Sequence, residues 1–218
     1  MRLAFRIVSV LVFILGAVAF FHGSRSQEAE SSQSKEKVKP ARSHVVSYLK
    51  YKLSADGTRT VTARRTRMVS AEGEWLETTS DAESSPIVAG LSDGVFIVTP
   101  GSQTRSLTSP SASKEEELRY HSARTFKQSP AFQRMDVVAG IKVYVLHTES
   151  QSPPLAWIEI CQSPLTGRTP LRTVIAFTDG SQLVTEAIKV EFKDVPDFDS
   201  VKSMPTDSEP ILKRERLQ

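Results

Sequence analysis

The sequence has few of the residues that would provide disulfide or catalytic chemistry. Cysteine occurs once in 218 residues, as Cys161, so an internal disulfide is excluded. Its apolar neighbours predict a small core side chain rather than a reactive thiol. The sequence contains no HExxH arrangement, no phosphate-binding loop, no GxGxxG and no GxSxG. We therefore expect no catalytic residue and no cofactor, and we interpret the chain as a protein that is not an enzyme.

Histidine is also scarce. Beyond the first 41 residues the histidines are His44, His121 and His147, and none has a second histidine, a cysteine or an acid at ligand spacing. A metal site is therefore not predicted. His147 ends an apolar stretch, where a half-buried structural histidine is a more common arrangement than a catalytic base.

An excess of positive charge is absent from most of the chain. Lysine and arginine exceed the acids by three overall, but Arg2, Arg6 and Arg25 all precede the first acid, Glu28. Residues 28–218 are therefore balanced. Residues 64, 65 and 67 are arginines, yet they alternate along a predicted strand instead of forming a basic tract. Without a positive field we expect no nucleic-acid partner.

One long apolar run stands at the amino terminus. Residues 7–21 carry no charge, and residues 1–23 are predicted to form a membrane helix, either an anchor or a signal peptide. A small-residue cleavage site at residues 17–19 is followed by Phe20 and Phe21, which continue the apolar run and favour an uncleaved anchor. The positive charges precede the helix, so the rest of the chain is expected to be exported to the periplasm or the cell exterior.

The remainder divides by composition into three parts. Residues 24–44 are rich in Ser, Glu, Lys and Gln and are predicted to be a disordered tether. Residues 45–212 alternate in polarity with period two and form the predicted extracytoplasmic β domain. Residues 213–218 are a charged tail. The sequence thus predicts a membrane-anchored domain whose first partner is the bilayer.

The final predicted hairpin is the best-specified part of the domain. Two β-rich runs, residues 172–177 and 182–193, flank Asp179-Gly180, a pair typical of a two-residue type I′ turn. Period two places four apolar side chains of the second strand on one face. These are Val184, Ile188, Val190 and Phe192. Pro196 is expected to end the pairing.

Earlier segments add further strands and one helix. Strands are predicted over residues 45–53, 59–69, 75–79, 87–99, 135–148 and 155–161, with a hairpin at residues 91–94. Ser113 and Glu116 fit a capping box and predict a short helix. We expect a mainly β fold: a curved antiparallel sheet or half-barrel with one or two short helices, with a second packed layer as the alternative.

Glu186 is a charged residue on the predicted apolar face of the second strand. It falls between Val184 and Ile188, where an unpaired carboxylate would be costly. It needs a partner such as Arg172 on the neighbouring strand, a bulge that turns it outward, or a polar cavity. If the sheet curls around a hollow, Glu186, Val184, Ile188 and Trp157 are the candidate residues of a ligand cavity.

The order of these elements resembles the periplasmic lipoprotein-carrier superfamily. The resemblance covers residues 45–211 and lies in the leader, the strand meander, the hairpin at residues 92–100, and the closing strand 190–192 followed by Asp197 and Pro205. Residues 159–173 are similar to uncharacterised bacterial envelope proteins. The superfamily implies an exported half-barrel that holds acyl chains or acts as an envelope sensor. This chain departs from the carriers in its long tether and few helices.

Together these features favour a binding protein. We interpret the chain as a non-catalytic extracytoplasmic domain, tethered to the membrane, that binds an apolar ligand such as a lipid or an envelope protein partner. The alternative is a structural envelope-assembly subunit that pairs through a sheet edge. A deep apolar cavity favours the first interpretation, and a filled core with a bare edge strand favours the second.

Overall fold

The computed structural model describes residues 42–80, 85–109, 122–167 and 169–207. These residues form twelve strands and two short helices. The strands are β1 (His44–Leu53), β2 (Arg59–Val69), β3 (Trp75–Thr79), β4 (Ile87–Leu91), β5 (Gly94–Val98), β6 (Arg105–Ser109), β7 (Phe132–Val138), β8 (Ile141–Glu149), β9 (Leu155–Gln162), β10 (Arg172–Phe177), β11 (Gln182–Phe192) and β12 (Thr206–Asp207). The helices are α1 (Ala123–Gln128) and α2 (Asp199–Lys202).

Several predictions concern segments outside the described residues. They are the membrane helix at residues 1–23, most of the tether, the helix beginning at Ser113 and the charged tail. No helix within the described ranges has the length and apolar character needed to cross a bilayer. His44, predicted as the last residue of the tether, is instead the fully buried first residue of β1.

All twelve strands belong to one open, curved sheet. Its order is β12-β6-β5-β4-β3-β2-β1-β11-β10-β9-β8-β7, and every neighbouring pair is antiparallel except β12 with β6. The prediction of a mainly β, curved antiparallel sheet with few short helices is confirmed. The curvature brings β11 close to β7, although three strands lie between them in the sheet. The two edges of the sheet are β7 and β12.

Two apolar cores lie in different halves of the sheet. The first core joins β1, β7, β8, β9 and β11 and includes five residues with no exposed surface. These are Val46, Val143, Val145, Cys161 and Leu171. The second core lies on β3, β4 and β5 and is completed by Phe198 and Val201 from the C-terminal segment. Cys161 is thus a buried core side chain, as its apolar neighbours predict.

The C-terminal segment, residues 193–207, provides a cover that the sequence analysis did not identify. After β11 ends at Phe192, this segment passes to the β3–β6 side of the sheet, where α2 packs on the second core and β12 pairs with β6. Lys202 anchors it, with Nζ 2.7 Å from Glu74 and 2.8 Å from Asp197. The predicted end of pairing before Pro196 is confirmed.

The final hairpin forms, but with a different turn. The Phe177 amide bonds to the Ser181 carbonyl, and the Gly180 amide bonds to the Phe177 carbonyl, so the loop has three residues. In this described loop only Gly180 has a positive φ, of 82°, whereas type I′ needs two such residues. The type I′ prediction is therefore wrong: the geometry is a type I turn with a glycine bulge. Two adjacent positive φ angles occur instead at Ala139 and Gly140, which split the predicted strand 135–148 into β7 and β8.

A bulge in β11 corrects the predicted apolar face. Ser47 pairs with Lys189 while Tyr48 pairs with Ala187, so Ile188 is an extra residue in β11. Because a one-residue insertion reverses the alternation, Val184 and Val190 lie on opposite faces. Ile188 is 58% exposed. The prediction that Val184, Ile188, Val190 and Phe192 share one face is therefore wrong.

Candidate functional site

The rolled half of the sheet carries a group of ion pairs centred on Arg172. The Arg172 Nη2 atom lies 2.8 Å from Asp136 and 3.3 Å from Glu159, and Nη1 lies 3.8 Å from Glu186. Arg134 adds a second cation, 3.1 Å from Glu159. We call these five residues the Arg172 cluster. Its two positive and three negative charges leave one negative charge.

Strand register explains how the Arg172 cluster assembles. Arg172 on β10 is directly opposite Glu186 on β11 and Cys161 on β9, so all three share one face. Asp136 is on β7, three strands away, and reaches Arg172 because the sheet is strongly curved. The partner suggested for Glu186 from the sequence is therefore present. Tyr51 adds a hydrogen bond from its hydroxyl to Glu186, at 3.4 Å.

The cluster shifts the protonation equilibria of its members. The Val137 amide and the Arg172 guanidinium both donate hydrogen bonds to Asp136, and they lower the pKa of that carboxyl. Burial opposes the charge on Arg172, but the hydrogen bond to Asp136 and the nearby carboxylates raise its pKa overall. Burial also raises the pKa of the Cys161 thiol to about 11, so this cysteine stays protonated at neutral pH.

The structure separates the four predicted cavity residues. Val184 is buried and lies on the face of Glu186, and Trp157 lies on the same face, directly opposite Ala176. Ile188 does not belong with them because of the bulge. The Trp157 ring packs on His147, with centroids 5.2 Å apart, and His147 Nε2 lies 2.9 Å from Glu149. That these residues hold a ligand stays a prediction.

A second charged group lies on β1, β2 and β3. Arg65 Nη1 is 2.7 Å from Glu77, and Arg67 Nε is 3.4 Å from the other oxygen of the same carboxylate. Arg67 also lies over the Trp75 ring, 3.9 Å from its centroid. Lys50 on β1 completes the group. We call Lys50, Arg65 and Arg67 the basic cluster. This cluster was not predicted from the sequence, although arginines two residues apart on one strand share a face.

Trp75 takes its position because a glycine lies opposite it. Trp75 pairs with Gly90 on β4, and a Cβ on that glycine would collide with the indole ring. The indole therefore lies directly over the backbone of β4. Arg67 stacks on it, and this orients the guanidinium toward Glu77.

The free edge of the sheet is the third feature. β7 pairs with β8 alone among the described strands. Its side chains Met135 and Val137 are 43% and 62% exposed. The opposite edge strand, β12, has only two residues. Within the described ranges no group of three His, Cys, Asp or Glu side chains is arranged to hold a metal ion.

No protein-family model and no curated protein matches the sequence. Solved structures show a similar fold at low identity. PNGF-II has a TM-score of 0.50 and 13% identity, covering 81% of this chain and 33% of that chain. A LolA superfamily protein from Nitrosomonas europaea has a TM-score of 0.39 and 12% identity over 73% of this chain and 90% of that chain.

The complex of MucA and MucB from Pseudomonas aeruginosa matches with a TM-score of 0.43 and 13% identity, covering 73% of this chain and 55% of that chain. The chain thus spans about half of that structure and a third of PNGF-II. A LolA superfamily protein is thus among the solved structures that are similar to this chain, in line with the resemblance stated from the sequence.

Proposed function

We propose that this chain is a non-catalytic binding domain, exported and tethered to the membrane by its amino-terminal segment, and that its ligand is a protein partner whose strand pairs with β7. This combines the interpretation of a binding domain with the sheet-edge alternative drawn from the sequence. The observation that carries it is the edge strand β7, which exposes the apolar side chains of Met135 and Val137 beside a filled core.

The packing of the described interior argues against an apolar ligand. Core residues of the rolled half, such as Val143 and Val145, have no exposed surface. The face predicted to line a cavity holds Arg172, Glu159 and Glu186 in mutual ion pairs. An acyl chain on that face would have to separate or desolvate these charges, at a cost of several kcal/mol.

The backbone of β7 has hydrogen-bonding groups on the side away from β8, although the curved sheet brings β11 close to β7. Val138 and Ile141 close the β7–β8 turn, so alternate residues of β7 direct their backbone groups toward β8. Met135 and Val137 direct theirs away from it. Asp136 Oδ1 accepts a hydrogen bond from the Val137 amide at 2.8 Å, so the Met135 amide is the donor of this pair that has no partner among the described residues. A partner strand would bond to that amide and cover both apolar side chains.

Site-specific photo-crosslinking in the source cells tests this proposal on the full chain. A benzoylphenylalanine replacing Val137 should give an adduct of one defined mass. The matched control replaces Val61, which is 52% exposed but lies on an inner strand, and should give none. Met135→Pro removes the free amide without touching a β7–β8 hydrogen bond, and it should abolish the adduct at position 137.

Three outcomes contradict the proposal: no adduct at position 137, an equal adduct at position 61, or an adduct that survives Met135→Pro in a folded protein. A circular dichroism melt checks folding, and Val137→Lys replaces the proline variant if that variant is unfolded. A mass spectrum of a lipid extract from the purified chain tests the competing interpretation. Stoichiometric lipid without a protein adduct would favour the apolar ligand.

A further inference from the structure

The basic cluster contains more positive charge than its surroundings neutralise. Lys50, Arg65 and Arg67 carry three positive charges, and Glu77 is the carboxylate that ion-pairs with them, so the group has a net charge of +2. The Nε atoms of both arginines are buried and make no hydrogen bond within the described residues, although Arg67 Nε forms the ion pair with Glu77 at 3.4 Å. One carboxylate therefore does not satisfy this set of donors.

Lys50 is the least compensated member of the cluster. Its ammonium group has no hydrogen bond or ion pair in the described part of the chain, although the residue is only partly exposed. Lys50 lies opposite Ala63 on β2 and Thr185 on β11, two small side chains that leave space beside it. Arg65 is two residues further along β2 on the same face, within reach of a shared ligand.

The lowered pKa of Lys50 is consistent with the lack of a carboxylate that pairs with its ammonium group. Burial and the positive charge of Arg65 lower its pKa, and the charge of Glu77 opposes this only in part. By contrast, Arg172 and Lys202, two other cations of the domain, form ion pairs with carboxylates. Arg172 contacts three carboxylates, and Lys202 contacts Glu74 and Asp197. The basic cluster is thus a place on the described surface where a ligand anion would relieve an unbalanced charge.

We propose that the basic cluster is a binding site for a phosphate group, held by the Lys50 ammonium and the Arg65 and Arg67 guanidinium groups. A phosphate monoester carries a charge between about −1.5 and −2 at neutral pH, which matches the cluster. A single carboxylate would neutralise only half of it. Guanidinium groups bind phosphate oxygens in pairs, and lysine contributes a point charge. The phosphate could be free or part of a lipid headgroup.

This site is independent of the proposed protein partner, because β7 and the strands β1 and β2 lie at different positions in the sheet. It is also compatible with the expectation from the sequence that the chain has no nucleic-acid partner. One phosphate needs one balanced pocket, whereas a polynucleotide needs a continuous basic surface.

The test is a titration of the full chain with inorganic phosphate at constant ionic strength, with chloride as the balancing anion. Binding is followed by phosphorus NMR and by the thermal midpoint. Lys50→Met keeps the aliphatic stem and should weaken binding by about tenfold or more. The matched control is Lys52→Met, which removes an exposed lysine two residues away on the same face and should leave the affinity unchanged.

Absence of phosphate binding, unchanged affinity in Lys50→Met, or equal weakening by both variants would overturn the proposal. If Lys50→Met does not fold, a carbon NMR titration of Lys50 in the wild-type chain decides the question, since bound phosphate must raise the pKa of its ammonium group. Dihexanoyl phosphatidic acid, with dihexanoyl phosphatidylcholine as its control, distinguishes the sources. Tighter binding of the phosphatidic acid than of phosphate assigns a lipid headgroup, and equal binding assigns a free phosphate.

Discussion

Arg172→Met is expected to destabilise the domain more than any other single change in the Arg172 cluster. Methionine keeps most of the aliphatic stem and removes the guanidinium. Three carboxylates then lose their shared cation: Asp136 at 2.8 Å, Glu159 at 3.3 Å and Glu186 at 3.8 Å. Glu159 retains Arg134, but that side chain is half exposed and solvent screens its charge.

The loss of unfolding free energy caused by Arg172→Met depends on how deeply its ion pairs are buried. Two unit charges about 4 Å apart near a protein surface attract by about 4 kcal/mol, and desolvation offsets most of that. Breaking a buried pair costs about 3–5 kcal/mol, and breaking an exposed pair about 0–1 kcal/mol. The side chains of Arg172 and Glu159 are 18% and 12% exposed, which is close to the buried case. We therefore expect Arg172→Met to lower the free energy of unfolding by about 3 kcal/mol.

Glu186→Leu provides the matched comparison. Its contact with Arg172 is the longest of the three, and Arg172 keeps Asp136 and Glu159 when Glu186 is removed. The loss should be about 1 kcal/mol or less. Urea unfolding of wild type and both variants at pH 7 gives these values. Similar losses in the two variants, or a loss below about 1 kcal/mol for Arg172→Met, would refute the assignment of Arg172 as the centre of the cluster.

The pH dependence separates charge from packing. The folded protein lowers the pKa of Asp136, so this carboxylate stabilises the fold above its unfolded pKa, near 3.9, and the contribution is lost as pH falls through the lower folded value. The difference between wild type and Arg172→Met should therefore be full at pH 7 and shrink below about pH 4. If the difference in unfolding free energy between wild type and Arg172→Met does not change with pH, altered side-chain packing causes the destabilisation and the lost charge does not.

Three further predictions concern other parts of the fold. Burial lowers the pKa of His44, so the neutral imidazole should contribute its full stabilisation above pH 6.5. The free energy of unfolding should then fall by up to about 1.4 kcal/mol per pH unit as the pH drops toward the pKa of His44 in the folded protein. Urea unfolding of His44→Gln should not show this dependence on pH. Gly90→Ala should cost about 2 kcal/mol and change the tryptophan fluorescence, because the new Cβ collides with the Trp75 indole; an unchanged spectrum and stability would place that ring elsewhere. Lys202→Met should lower the thermal midpoint of unfolding, because it leaves the buried Glu74 carboxylate without its ion-pair partner. Adding Glu74→Gln to that variant should restore part of the lost thermal midpoint, and no recovery would contradict the Lys202–Glu74 pairing.

The strands could be predicted from the sequence because their signals are local. Alternation along β1 and the glycines after Asp56, Glu72 and Asp179 each specify a strand or a turn within about ten residues. Arg172 was one of three alternatives for Glu186, and the two residues lie directly opposite each other because the loop has three residues instead of the predicted two. Such predictions need no knowledge of distant contacts.

Other features depend on contacts that the sequence pattern does not contain. The bulge at Ile188 is set by the pairing of β11 with β1, more than 130 residues earlier in the chain. The Ala139-Gly140 turn lacks the Asn or Asp that usually precedes the glycine. Asp136 reaches Arg172 only because the sheet curves. The basic cluster depends on the register of β1 with β2, which shifts by one residue between Lys50 and Tyr51.

The position of the C-terminal segment has a consequence for the order in which the domain can fold. Strands β1 to β6 pair with their sequence neighbours and can associate as soon as they are synthesised. Their apolar residues Leu76, Phe96 and Val98 nevertheless stay open to solvent until Phe198 and Val201 arrive, about a hundred residues later. β1 likewise lacks its second neighbour until β11 is present. We therefore expect the early meander to be prone to aggregation, and a chain truncated before residue 193 should keep its local hairpins but associate with other copies of itself.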